Sequence, residues 1–367
     1  MKHRLISYII AAFFAVSLSP SVALQAAPYA AVVMDARNGK IYHSRNADTR
    51  LHPASLTKMM TLYVAFQAIE KNEISLDSYV TVSRNAAAEP PSKLWLKRGQ
   101  KIKLRYLIRA AAIKSANDAA TAIGEAISGT EVAFAKRMTR TARAMGMSRT
   151  TFKNAHGLTR SGHLSTARDM SILGRHMIYD YPQYYNLFSR RSANAKVRKV
   201  NNTNRRFLAA YRGADGIKTG YTRAAGFNLV ASAERGGERI VATMFGGSST
   251  AARNKRVAQL LDMGFDRAPS TAKLQRPSLP PYNQNENEHG GKTLRLVTAV
   301  KRSLRPKMRP FGEASAPEDV VVATLPELQV QPDDILTAVQ SATSGAVAVQ
   351  VSTSTYDPDM STTAPRA

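Results

Sequence analysis

Three short groups of residues follow one another along the chain: Ser55-Leu56-Thr57-Lys58, then Ser115-Ala116-Asn117, then Lys218-Thr219-Gly220. Together they hold what acyl transfer through a serine requires. A serine hydroxyl is a poor nucleophile unless a base takes its proton as it attacks. A spacing of three on a helix puts two side chains on one face, so the Lys58 amine can reach the Ser55 hydroxyl. Lysine is a base only when neutral, which calls for burial and a nearby positive charge to lower its pKa. Lys218 is the candidate for that charge. The partial positive charge at the start of a helix favours negative charge developing on the serine or on the attacked carbonyl oxygen. Ser115 can relay protons between Lys58 and a leaving amine, and Asn117 can bond the amide groups of a substrate. Lys218 and Thr219 offer a cation and a hydroxyl to a carboxylate, while Gly220 lets a substrate come close to the backbone.

Each group is short enough to recur by chance. Ser270-Thr271-Ala272-Lys273 repeats the first pattern, and Ser83-Arg84-Asn85 and Ser192-Ala193-Asn194 repeat the second. Taken singly, Ser55 reads as a helix N-cap with Lys58 on the surface, and Ser115 and Asn117 as caps for the helix that follows. Order and context separate signal from repeat: the first group opens a long apolar stretch, and the third occurs once.

Several elements must position these groups. Ala30–Asp35 and Ile41–His43 flank Asn38-Gly39 and read as a hairpin. Apolar residues from Met59 to Ile69 recur at helical spacing, so a helix begins at or next to Ser55 and runs to Glu70. Leu104–Ile113, Asp118–Ile127 and Glu131–Met145 read as further helices, with Asn117-Asp118 at the junction of two of them. Gly216–Tyr221, Phe227–Ala233 and Ile240–Phe245 read as strands, and Ala251–Met263 as a closing helix. Strands at both ends with helices between them predict an α/β fold, an antiparallel sheet flanked by helices with a helical subdomain beside it.

Composition narrows the setting. A chain of 367 residues with 44% hydrophobic residues can build a substantial core. Lys2, His3 and Arg4, an apolar run from Leu5 to Leu18 and small residues through Ala27 make a secretory signal pattern over residues 1–26, which predicts export to the periplasm or cell wall. No cysteine is present, which excludes disulfides, thiol chemistry and cysteine-bound metal. The histidines form no His-Glu-x-x-His pattern, and neither a metal nor a cofactor is expected. The net charge of +26 is uneven: the first 265 residues hold 41 Lys and Arg against 15 Asp and Glu, the remainder 11 of each. In an exported protein such a field points to anionic membrane or wall polymer rather than nucleic acid. Residues 27–265 read as the catalytic domain, and residues 266–367 as a linker and low-complexity tail expected to be mostly disordered. That tail carries a basic block to Pro310, including Lys301, Arg302, Arg305, Lys307 and Arg309, and an acidic block after it.

Over about residues 28–265 the chain resembles a low-molecular-mass penicillin-binding protein, a serine-type D-alanyl-D-alanine carboxypeptidase. The likeness rests on Pro53-Ala54-Ser55-Leu56-Thr57-Lys58-Met59-Met60, Ser115-Ala116-Asn117-Asp118-Ala119, His156-Gly157-Leu158 and Gly216-Ile217-Lys218-Thr219-Gly220-Tyr221-Thr222 through Gly226. It implies the penicillin-binding protein/β-lactamase-like transpeptidase fold and peptidoglycan stem peptides as substrate, with β-lactams as covalent inhibitors. It implies Ser55 as the acylated nucleophile, Lys58 as its base, Ser115 and Asn117 as proton relay and substrate contact, and Lys218 with Thr219 on the terminal carboxylate. The resemblance also implies an oxyanion hole from the backbone amides of Ser55 and Tyr221, and makes Arg253 a further carboxylate contact. His156 is expected to hold its loop. Ala116 and Tyr221 depart from the Gly and His that often stand there. A class A β-lactamase shares the three motifs but adds a Glu followed four positions later by Asn. Between Asn117 and Lys218 only Glu125 and Glu131 occur, with Gly129 and Ala135 four positions on. DD-endopeptidase and transpeptidase activities use the same residues, and a wall-binding scaffold without turnover is the non-enzyme alternative.

Overall fold

The computed structural model describes residues 27–282; the segment read as a signal peptide and the tail from residue 283 onward lie outside it. Along the chain come β1 (Ala30–Asp35), β2 (Ile41–Arg45), a 3-10 turn (Ala54–Leu56), α1 (Thr57–Glu70), β3 (Tyr79–Thr81), α2 (Arg84–Ala88), β4 (Lys101–Lys103) and α3 (Leu104–Arg109). A π turn (Ala110–Lys114) leads on to α4 (Asn117–Ser128), α5 (Glu131–Ala144), α6 (Ala167–Tyr179), α7 (Pro182–Tyr185), β5 (Ser192–Asn194), β6 (Lys199–Asn201) and α8 (Arg205–Ala210). The last elements are β7 (Ala214–Thr222), β8 (Gly226–Arg235), β9 (Glu238–Gly247) and α9 (Thr250–Arg267).

The two ends of this region make one antiparallel sheet of five strands, ordered β2-β1-β9-β8-β7, with β7 at an edge. Successive side chains of a strand point to opposite faces. Val32, Val230, Val241 and Phe245 join the core built with α1 and α6, whereas Val33, Leu229, Ala231 and Ile240 meet Val257, Leu260 and Leu261 of α9. With helices on both faces, neither face needs polar residues, so these strands read as apolar runs rather than as alternation.

Helix α1 is buried on all sides from Thr57 to Ala68. A helix so enclosed is an interior element, and its polar side chains must find partners there. Tyr63 donates to Asp180 Oδ2 at 2.6 Å and Thr61 to the Ala155 carbonyl at 2.5 Å. Thr57 Oγ1 lies 2.8 Å from His163 Nε2. Because Lys153 N donates to His163 Nδ1 at 3.1 Å, the ring proton sits on Nε2 and is given to Thr57. Burial pushes His163 down to about 3, so the ring is neutral at physiological pH. The Thr57 and Thr61 bonds key the helix that follows Ser55 to the 150–163 loop, and the Tyr63 bond ties it to the end of α6. Among the described residues no helix is long and apolar enough to cross a membrane.

Differences from expectation are local. The helix expected from Ser55 starts with a 3-10 turn, and the one over Leu104–Ile113 ends in a π turn. The sequence reading passed over α2, α6, α7, α8 and β3 to β6. The repeats of the second motif fall within two of these: Ser83 caps α2 by accepting from Ala86 N at 2.9 Å, and Ser192–Asn194 is β5.

Helix α9 runs on to Arg267, beyond the domain edge read at 265. Residues 268–282 then form a strap without regular structure. Gln275 N donates to the Arg37 carbonyl at 2.8 Å, Arg37 Nη2 to the Pro269 carbonyl at 2.8 Å, and Arg175 to the Gln275 carbonyl. Farther on, Tyr282 donates to Glu73 Oε1 at 2.6 Å and lies beside the Lys71 and Arg137 cations. A proline-rich composition signals the absence of helix and strand, not the absence of contacts. A chain ended after Arg267 should keep its circular dichroism and peptide turnover at 25 °C but lose about 2–3 kcal/mol of stability, since each net hydrogen bond contributes about 1 kcal/mol. That corresponds to a melting midpoint lower by roughly 4–12 °C. A chain ended after Tyr282 should melt with the full-length protein. Equal melts for the two truncations would show that the strap contributes nothing.

Candidate active site

Ser55 lies in the middle of the 3-10 turn, where neither that turn nor α1 has a side-chain cap, so it is not acting as an N-cap. The preceding Ala54 is left-handed at φ 49°, a costly conformation for a residue with a Cβ. Two neighbours hold the turn there. Asn228 of β8 donates to the His52 and Pro53 carbonyls at 3.1 and 3.4 Å. Gly157 packs so closely beneath it that a Cβ would stand 1.9 Å from the Ala54 carbonyl oxygen and 2.8 Å from Thr57 Oγ1.

Lys58, on the first turn of α1, is fully buried. Its Nζ is 3.2 Å from Ser55 Oγ, 2.7 Å from Asn117 Oδ1 and 2.7 Å from the His156 carbonyl. Burial first, and then the charge of Lys218, push its pKa well below the ordinary lysine range, against the opposing pull of Glu89 and Asp118. A neutral amine has two protons and one lone pair. The two carbonyl oxygens can only accept, so they take both protons, and the lone pair is left for the Ser55 hydroxyl.

Asn117 opens α4 and is fixed from two sides: its Nδ2 donates to the Pro90 carbonyl at 2.8 Å and its N–H to the Ser92 carbonyl at 2.7 Å. The neighbouring Asp118 accepts the N–H groups of Leu94 and Leu96 at 2.9 to 3.1 Å, so the whole 89–96 loop is moulded onto the second motif. Ser115 caps the π turn in a left-handed conformation at φ 63°. Its Oγ is buried and has no hydrogen-bond partner among the described residues. It is the one catalytic candidate that the structure does not bond directly to the others.

The third motif forms the edge strand β7, against the Ser55 turn. A Cβ at Gly220 would lie 2.9 Å from the Pro53 carbonyl and 3.1 Å from Ser55 N, so only glycine lets the two backbones approach this closely. Lys218 is buried, and its Nζ donates to the Thr219 carbonyl at 3.1 Å. Burial and the charge of Arg253 push it down to about 7. Arg253, buried on α9, is itself lowered by desolvation to about 10 and bonds only the Asn254 amide oxygen, at 2.8 and 3.1 Å. Among the described residues neither cation has a carboxylate partner. Thr219 donates to Thr203 Oγ1 at 2.7 Å, and the Tyr221 ring is exposed against Phe227 with centroids 4.3 Å apart.

The fold thus gathers Ser55, Lys58 and Asn117 into direct hydrogen bonds, with Lys218 acting on Lys58 through charge and Arg253 acting in turn on Lys218. The sequence reading overlooked Thr203, Asn228 and Glu89, none of which lies in a motif. It noticed His156 and Gly157, but the contact to Lys58 comes from a main-chain carbonyl that no residue type reveals. In chemical terms the cleft offers an activated hydroxyl, a neutral amine, an unpartnered hydroxyl and two cations awaiting an anion.

Known proteins resemble this chain in sequence and in fold. The sequence profile of a family described as D-alanyl-D-alanine carboxypeptidase matches residues 17–249. The chain is 33% identical to D-alanyl-D-alanine carboxypeptidase DacF of Bacillus subtilis over 299 residues, 80% of this chain and 72% of that one. It is 36% identical over 240 residues to DacC of Escherichia coli, covering 64% of this chain and 60% of the relative. Among solved structures, penicillin-binding protein D2 of Listeria monocytogenes in its ampicillin-bound form superimposes with a TM-score of 0.60 at 32% identity, over 67% of this chain and all of that one.

The tight seat of Gly157 gives a direct test. Gly157→Ala places a methyl group into the Ala54 carbonyl at a left-handed φ of 90°, so the Ser55 turn has to move. Misplacing a reacting group by about 1 Å costs on the order of 10²-fold in rate. Stopped-flow acylation of the folded variant by a chromogenic β-lactam should show a loss of about that size, and a rate within a factor of two of wild type would contradict the assigned contact.

Proposed function

The chain belongs to the D-alanyl-D-alanine carboxypeptidase family of serine peptidases, and we propose from that premise that it cleaves the terminal D-Ala–D-Ala bond of peptidoglycan stem peptides with the roles divided as follows. Ser55 Oγ attacks the carbonyl carbon of the penultimate D-Ala while its proton passes to the Lys58 amine. The backbone amides of Ser55 and Tyr221 receive the oxyanion, worth several kcal/mol where such donors are fixed in advance. As the tetrahedral species collapses, the proton moves from Lys58 through Ser115 Oγ to the leaving nitrogen, and free D-Ala departs from the ester on Ser55. Water then attacks that ester, losing its proton to Lys58, which returns it to Ser55 Oγ as the ester bond breaks, and the shortened peptide leaves with a free carboxyl end. Asn117 bonds the peptide amide groups, and Lys218, Thr219 and Arg253 bind the terminal carboxylate.

The observation that carries this reading is the Lys58 amine, buried, with both its protons committed to carbonyl oxygens and Ser55 Oγ 3.2 Å away. The two buried cations, Lys218 and Arg253, support a preference for a free carboxyl end. The basic-apolar-small N-terminal pattern and the wall substrate support action outside the cytoplasm, in the periplasm or at the cell wall, where a basic surface favours anionic membrane and polymer. β-Lactams enter the same cleft as covalent inhibitors.

A β-lactam should leave one adduct, found by mass spectrometry on the peptide that contains Ser55 and missing in Ser55→Ala. Lys58→Ala should stay folded and acylate about 10²–10⁴-fold more slowly, the usual worth of a general base. Labelling that survives in Ser55→Ala would sink the assignment.

Carboxylate recognition is tested with substrates rather than variants. A peptide ending in D-Ala–D-Ala amide leaves a buried cation without its partner, which typically costs about 3–5 kcal/mol. Its kcat/KM should therefore fall by roughly 10²-fold or more relative to the free acid. Equal turnover of acid and amide would remove Lys218 and Arg253 from substrate binding and favour endopeptidase action.

A further inference from the structure

Lys58 is held by two carbonyl oxygens, and both trace back to one residue outside the three motifs. Glu89 is buried at the start of the loop that follows α2, directly after the helix ends at Ala88. Its Oε1 accepts from Thr121 Oγ1 of α4 at 2.9 Å and lies 3.3 Å from His156 Nε2. Leu158 N donates to His156 Nδ1 at 3.1 Å, so the ring proton sits on Nε2 and faces Glu89. Glu131 of α5 stands at the same 3.3 Å from Nε2 and also accepts Ala155 N at 3.1 Å. The imidazole is therefore clamped, and with it the His156 carbonyl that receives Lys58. On the other side Pro90, next in sequence to Glu89, receives Asn117 Nδ2 at 2.8 Å, which turns Asn117 Oδ1 toward the same amine.

We propose that Glu89 is a positioning residue for the reaction: it anchors both carbonyl acceptors of Lys58 and places a negative charge behind them that sets how basic the amine is. The proposal rests on Lys58 being the base, as assigned above. The charges facing Lys58 are Lys218 on β7 with Arg253 behind it, Asp118 on α4, Glu89 on its loop and Glu131 with His156 behind the carbonyl. Burial pushes the Glu89 carboxyl up, but its bonds from His156 and Thr121 and the nearby Lys58 outweigh this and hold it below the ordinary range, so it is ionised at neutral pH. Lys58 works when neutral, so acylation is present above its pKa and is lost as pH falls through it. The Glu89 charge raises that pKa, opposing the burial and Lys218 that lower it. Without Glu89 the amine would shed its proton at a still lower pH, leaving a weaker base.

The test is the pH dependence of second-order acylation by a chromogenic β-lactam in wild type, Glu89→Gln and Glu89→Asp. Glu89→Gln keeps the size and an oxygen acceptor but removes the charge. Its acid limb should move to lower pH by about one unit, the scale of one charge acting across a buried site, and its plateau should fall at least five-fold. Glu89→Asp keeps the charge but withdraws it from His156, so its limb should stay in place while the plateau falls. An acid limb unmoved in Glu89→Gln would overturn the proposal, as would a limb that moves when a chelator is added, because the three side chains would then be holding a cation. Should Glu89→Gln fail to fold by circular dichroism, Glu89→Asp decides alone: a wild-type plateau overturns the proposal, and a fallen plateau with the limb in place supports it. Absence of any Ser55 adduct in the wild type would instead mean that the assignment of Lys58 itself is at fault.

Discussion

Two lysine side chains buried in one cleft, with no carboxylate among the described residues in contact with either, set the terms for everything around them. Lys58 is completely buried and Lys218 nearly so. Leaving an ion unpaired in such a place costs several kcal/mol, so the cleft can persist only if protons are shed or an anion arrives. The two lysines resolve this differently. Lys58 has two fixed carbonyl acceptors and a hydroxyl, a set that suits a neutral amine. Among the described residues Lys218 Nζ meets one carbonyl and feels the charge of Arg253, an arrangement that a carboxylate between them would make favourable. On the proposed reading, one cation is discharged by the protein and the other by the substrate.

Holding such a site requires a frame that will not relax. The three motifs come from three directions: the start of an interior helix, the junction between a π turn and α4, and an edge strand. Two of these carry left-handed backbone at residues with a Cβ, Ala54 and Ser115. Such strain survives only where the surroundings fix it. Below Ala54 there is no room to move, because Gly157 and Gly220 bring two other stretches of backbone against the same turn. The cost is offset elsewhere, in a sheet covered on both faces and in an enclosed α1. These do the work that a chain without cysteines cannot assign to disulfides.

Much of this was legible in the sequence, and the limits of the rest are physical. The sheet hairpins, α1, α4, α5 and α9 announce themselves through turn residues and apolar spacing, and the order of the motifs separated Ser55 from Ser270. What the sequence hid are contacts made at a distance in the chain. Thr203 supports Thr219 and Asn228 supports Pro53, and neither follows from a local pattern. The short α2 and α7 have too few residues for a period to show, and β3 to β6 are three residues each. The 89–96 loop is the clearest case. Its text, Glu89-Pro90-Pro91-Ser92-Lys93, reads as irregular surface, yet its carbonyls fix Asn117 and its first carboxylate clamps His156. Main-chain atoms and pairings across tens of residues carry the function there, and a residue alphabet records neither.

The departures from the common form of the motifs bear out the same distinction. Ala116 lies in extended backbone at φ −67°, ψ 125°, which any residue adopts, and its methyl group is buried in the core. Glycine at that position would add no conformation that the turn uses, so the substitution leaves Ser115 and Asn117 where they are. Tyr221 differs in chemistry from the histidine often found there, yet its ring leans outward on Phe227, more than half exposed. The role proposed for position 221 takes from it a peptide N–H at the edge of β7 beside Gly220, and every residue except proline supplies one. At these two positions the side chain is therefore incidental to the geometry. At Lys58 the buried amine itself makes the contacts to Ser55, Asn117 and His156, and at Gly157 there is no room for any side chain at all.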